Sequence, residues 1–89
     1  MSKSDMNYTA QKAALTRAAN TGDTYKVALA CARAVEQWNS PGGYWPDDWS
    51  AWQRAFDDAM VASGHPGGGP DIEDLRVEQR EGELFVVTG

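Results

Sequence analysis

The run YWPDDWSAWQRAF, Tyr44 to Phe56, places three tryptophans, a tyrosine and a phenylalanine in thirteen residues. On a helix, Trp45, Trp49, Trp52, Phe56 and Met60 fall at steps of four, three, four and four, and so share one side. Asp47, Asp48, Ser50, Arg54, Asp57 and Asp58 lie largely elsewhere. Burying one tryptophan removes about 150–250 Å² from water, worth about 4–6 kcal/mol at ~25 cal/mol per Å². No other segment offers as much, so the third helix is expected to be the keel on which the other elements assemble. An indole N–H also wants a partner, which favours half-buried positions at the edge of such a stripe. Tyr44 and Trp45, beside a glycine pair, are the residues expected to be most exposed and to touch a partner.

The remainder reads as an α+β, mainly α chain: an antiparallel helix pair, the Trp-rich third helix and a C-terminal β-hairpin. Residues 1–6 are expected to be a flexible lead-in, 7–63 a three-helix domain, 64–71 a Gly/Pro linker loop, and 72–89 a helical turn with the hairpin. The first helix is predicted from about Tyr8 to Asn20, capped by Asp5 or Asn7 and ended by Gly22. Its apolar side is thin: Tyr8, Ala14, Leu15, Ala18 and Ala19. Asp23 or Thr24 caps the second, roughly Tyr25 to Asn39, whose stripe is Tyr25, Ala28, Leu29, Ala32, Val35 and Trp38. SPGG breaks the chain. Pro46 then suits the first turn of the third helix, with Asp47 and Asp48 at the positive end of its dipole. If Glu81-Gly82 forms a two-residue turn, Gln79 faces Leu84, Val77 faces Val86 and Leu75 faces Thr88. That register puts Leu75, Val77, Leu84 and Val86 inward and leaves Arg76, Glu78, Phe85 and Val87 as candidate partner contacts.

The net charge of −5 is uneven: residues 1–40 carry five bases against three acids (+2), and residues 41–89 carry three against ten (−7). Such a chain suits neither a nucleic-acid backbone nor, lacking an apolar run near ~20 residues, a membrane. With no secretory h-region after MSKSD, a cytoplasmic location is expected. Cys31 is the sole cysteine, so it forms no disulfide within the chain, and between two alanines it reads as a buried thiol.

Chemistry-bearing motifs are weak, and no catalytic, cofactor or metal site is expected. His65 stands alone in a Gly/Pro loop, with Ser63 and Asp71 near in sequence but not held as a triad. Asp47/Asp48 and Asp57/Asp58 are ten residues apart, about 15 Å along a helix, and cannot share one ion. GHPGGGPD has the glycines of a phosphate loop without its strand, its Lys-Ser or Lys-Thr, or its helix.

The run WPDDWSAWQRAFDDA, Trp45 to Ala59, with the AVEQW that ends the preceding helix, resembles small orphan proteins of actinobacteria and their phages. In those a Trp-Pro-Asp-Asp-Trp turn followed by Trp-Gln-Arg-Ala recurs. The resemblance covers about residues 12 to 60, implies a phage or mobile-element origin and assigns no site residues. The expected function is a non-enzymatic protein-interaction module, acting on a host protein if phage-encoded. Because two strands alone are marginal, a homodimer through the hairpin is also expected. The alternatives are an acidic decoy for a nucleic-acid-binding surface and a virion or assembly component.

Overall fold

In a computed structural model that describes residues 3–88, with side chains from Tyr8 onward, the order is helix α1 (Lys3–Thr21), α2 (Thr24–Trp38) and α3 (Trp49–Ala62). A 3-10 turn (Ile72–Asp74) and strands β1 (Leu75–Arg80) and β2 (Glu83–Thr88) follow. The expected class, three helices with a C-terminal hairpin, is what the chain adopts.

Helix α1 starts earlier than expected. Lys3 to Met6, assigned to the lead-in, are helical, so Asp5 and Asn7 lie inside α1 and cannot cap it; Met1 and Ser2 fall outside the described residues. Its exit follows the sequence: Gly22 takes φ 71°, a left-handed value natural to glycine. Asp23 then caps α2, its carboxylate accepting from the Tyr25 and Lys26 amides.

Helix α2, not α3, is the hub, because every other element packs against it. Its buried set is Val27, Ala28, Cys31, Ala32, Ala34, Val35 and Trp38, wider than the predicted stripe, whereas α3 buries only Trp52 and Phe56. The reason is packing on several sides: small residues around the helix let α1, α3 and the hairpin all approach closely. Tyr25, placed in the predicted core stripe, is instead 47% exposed.

Helix α3 begins at Trp49 rather than Pro46. Pro46 sits in the preceding turn, its carbonyl accepting from the Trp49 amide at 3.2 Å, so Trp45 is not part of the helix. The reversal before it depends on Gly43, where a Cβ would stand 2.1 Å from the Gln37 carbonyl oxygen and 2.9 Å from that of Trp38. No other residue fits that close beneath the end of α2.

The hairpin has the predicted register, Leu75 opposite Thr88, Val77 opposite Val86 and Gln79 opposite Leu84. Glu81 and Gly82 have φ values of 51° and 83°, both positive, as a type I′ turn demands. With such a turn the Arg80–Glu83 pair exchanges hydrogen bonds, so Val77 and Leu84 point their backbone groups outward at the two edges. Side chains of α2 meet both: the Val77 amide donates to Glu36 Oε1 at 2.7 Å, and the Tyr25 hydroxyl donates to the Leu84 carbonyl at 2.5 Å. The hairpin is thus seated on its own helix and its edges are partly blunted.

The glycine loop, expected to be an exposed linker, lies against α3. Asp57 Oδ1 accepts from the Gly69 amide at 3.2 Å, and Gln53 donates to Pro70 and accepts from the Ile72 amide. A Cβ at Gly69 would stand 2.4 Å from Phe56 Cε2, whereas one at Gly67 meets open space. Gly69→Ala is therefore expected to cost about 1–3 kcal/mol through overpacking. Gly67→Ala should stay within about 0.5 kcal/mol of wild type, both read by urea unfolding.

Candidate functional site

The four tryptophans form a chain of ring contacts from core to surface. Trp52 is fully buried and meets Trp38 edge to face, with ring centroids 5.2 Å apart. Trp38 meets Trp45 at 5.1 Å, and Trp45 meets Trp49 at 5.8 Å. Burial declines along the series: Trp45 is half-buried and Trp49 is 44% exposed, with Tyr44 beside them at 61%. Trp49 thus leaves the inward stripe to which its helical spacing assigned it.

Each step has a local cause. Gly42 and Gly43 return the chain under the end of α2, which lays Trp45 on Trp38, and Asn39 Oδ1 then accepts from the Trp45 indole at 2.7 Å. The Trp38 indole donates to Gln11 Oε1 at 3.1 Å, and Gln11 Nε2 donates on to Gln37 Oε1. Trp52 Nε1, by contrast, is buried without a hydrogen-bond partner among the described residues. Leaving the donor unpaired costs about 1–3 kcal/mol, less than the burial of the ring returns.

Asp48 turns away from its own helix. It makes no side-chain cap to α3; instead it accepts from Lys12 Nζ at 2.6 Å and from the Tyr8 hydroxyl, tying the start of α3 to α1. The Lys12 ammonium, and after it the Tyr8 hydroxyl, hold the Asp48 carboxyl below its ordinary 3.8. Lys12 is raised above 10.5, chiefly by Asp48, and Tyr8 above 10.0, first by burial and then by Asp48.

An open groove of about 530 Å³ lies between α1, the end of α2 and the loop, with Tyr8, Gln37, Pro41, Tyr44, Trp45 and Asp47 on its walls. Of the sequence-predicted contacts, the groove gathers Tyr44 and Trp45 only. The others share the outer face of the hairpin, where Arg76 faces Val87 and Glu78 faces Phe85 across the ladder. Phe85 is 41% exposed and Val87 half-buried. Arg76 Nη1 donates to the Glu73 and Leu75 carbonyls, and Glu78 pairs with Arg80. The Tyr8–Lys12–Asp48 cluster and Gln37 escaped sequence reasoning. The spacing of Tyr8 and Lys12 by one helical turn was their only local signal.

His65 is exposed in its loop, and the Ser63 hydroxyl is committed to the Ala59 carbonyl and the Thr24 hydroxyl. Cys31 is fully buried, and burial pushes its thiol up to about 12. Among the described residues, no three His, Cys, Asp or Glu side chains gather as a metal site, and no helix is long and apolar enough to cross a membrane. Comparison of the chain with protein families, curated proteins and solved structures finds no match.

The Lys12–Asp48 pair sets a pH test. A carboxyl with a lowered folded pKa contributes fully above 3.8 and loses that contribution as pH falls through the lowered value; a raised lysine contributes below 10.5 and loses it as pH climbs further. With side chains 39% and 48% exposed, the pair is a screened surface bridge. Asp48→Asn should cost under about 1 kcal/mol at neutral pH. By urea unfolding, the gap from wild type should close only below 3.8.

Proposed function

We propose that the chain is a non-enzymatic protein-interaction module whose docking surface is the aromatic face formed by Tyr44, Trp45 and Trp49. The observation that carries this reading is the outward grading of the tryptophan chain. A protein of this size has every energetic reason to bury its large aromatics, yet Tyr44 stands 61% exposed on the wall of the open groove and Trp49 stands 44% exposed on the other side of Trp45, against Gln53 and Ile72. Large aromatics held rigidly at a groove edge are the residues that dominate interface energetics. Here the rigidity comes from the end of α2 and the Asn39–Trp45 hydrogen bond.

The acidic-decoy reading, which uses the acids at 47, 48, 57, 58, 71, 73, 74, 78, 81 and 83, is weakened at three of them, because these already serve the fold. Asp48 holds Lys12 and Tyr8, Asp57 holds the glycine loop and Glu78 pairs with Arg80. The need that motivated pairing with a second copy is likewise met within the chain, since α2 carries the hairpin. The sequence resemblance directs the search for a partner to an actinobacterial host.

The test is affinity capture from actinobacterial lysate at low and high salt, with wild type and a Tyr44→Ala/Trp49→Ala variant shown by circular dichroism to be folded. The expected outcome is a set of proteins retained by wild type at both salts and lost with the variant. Equal retention by the variant overturns the reading. Retention confined to low salt would turn it toward the decoy, whose binding salt screens.

A further inference from the structure

We propose that the groove takes an arginine-bearing, proline-rich extended segment of the partner protein. The inference rests on the interaction reading above and names the chemistry of the occupant.

Three features of the groove converge on it. The first is charge. Among its described lining residues the only charged ones are Asp47 and Asp48, and both are acidic. Asp48 is engaged by Lys12 and Tyr8, which leaves Asp47 as the second acid on the wall. The second is the aromatic wall. Tyr44 and Trp45 line the groove, and aromatic rings attract a guanidinium through the ring quadrupole and pack well against flat pyrrolidine rings.

The third is a hydrogen-bond donor whose orientation follows from bookkeeping. An indole N–H can only donate, so the Trp38 bond fixes Gln11 Oε1 as its acceptor and turns Gln11 Nε2 outward. Gln11 Nε2 then takes Gln37 Oε1, which forces the Gln37 amide nitrogen to the far side of its side chain. Among the described residues no acceptor meets that nitrogen, and Gln37, an exposed residue, lines both this groove and the hollow between α1 and α2. A polyproline II segment has no internal hydrogen bonds and presents its carbonyls to such a donor. A regular helix or a strand already paired in its own sheet has spent most of its carbonyls.

An arginine on the segment would set its guanidinium against Asp47, with prolines against Tyr44 and Trp45 and a backbone carbonyl on Gln37. The segment is stiff before it binds, so ordering it costs little.

The experiment is isothermal titration of the full chain with three synthetic peptides. They are an arginine-bearing proline-rich peptide, the same peptide with glutamate for arginine, and an arginine-bearing Gly/Ser peptide of equal length. Saturable binding is expected for the first alone. Asp47→Asn should weaken it about fivefold, the size of an exposed ion pair. Tyr44→Ala should weaken it at least about tenfold. Val61→Ala, exposed on α3 and outside the groove, should leave it unchanged. Equal binding of the glutamate or Gly/Ser peptide overturns the proposal, as does indifference to Asp47→Asn and Tyr44→Ala.

Absence of binding by all three peptides up to about 1 mM also overturns it. If wild type then still captures lysate proteins through Tyr44 and Trp49, only the occupant is wrong and the docking surface stands. If it captures none, both readings fall.

Discussion

The fold depends on one contact, the edge-to-face meeting of Trp52 from α3 with Trp38 from the end of α2. Neither helix α1 nor α2 carries another side chain of that size facing the core. Trp52 accepts the Cys31 thiol on its backbone carbonyl at 3.7 Å, and its ring belongs to the same core cluster as the fully buried Cys31, Ala32 and Val35 of α2. Small residues on α2 make room for the ring, and the ring in turn fills the volume that alanines leave empty. The unpaired indole N–H shows how strongly shape dominates here. The ring stays in the core although its donor meets no partner among the described residues, and truncating it to alanine would leave a cavity costing about 3–5 kcal/mol.

From that contact the path to the surface is short. Trp38 is the second link of the buried pair and the first support of the exposed series, so core and candidate site share a side chain. Gly43 brings the chain back over it, Trp45 meets it with rings tilted at 58°, and Trp49 closes the row at the first turn of α3. Functional surfaces usually sit on loops positioned by a rigid scaffold. In this chain the loop is pinned at both ends, by Asn39 before the aromatic face and by the Asp48 bonds to α1 after it.

Local chemistry was the legible part of the sequence. Gly22 and Asp23 announced the turn between the first two helices, and Glu81-Gly82 with its alternating neighbours fixed the hairpin register to the residue. Both signals act within a few positions. The start of α3 was misread because proline followed by two acids suits a first helical turn and also the tight turn that precedes one. That error carried Trp45 and Trp49 into a stripe that looked continuous but crosses a helix boundary. Periodicity also cannot say how many neighbours a helix has, so α2 was given one buried face when it has several. The Tyr8–Lys12–Asp48 cluster joins positions about forty residues apart and has no footprint in any single window. The groove followed from that closure and from the glycine reversal, and so was visible only as two exposed candidates, Tyr44 and Trp45.

The most direct test of this arrangement is hydrogen exchange of the four indole N–H groups, followed by nuclear magnetic resonance of the free protein. Trp52 should be protected by burial and Trp38 by burial with its bond to Gln11, while Trp49 should exchange at nearly the rate of an unfolded chain. Four indoles exchanging alike, or a Trp52 resonance as labile as that of Trp49, would contradict the buried pair and with it the graded aromatic face built upon it.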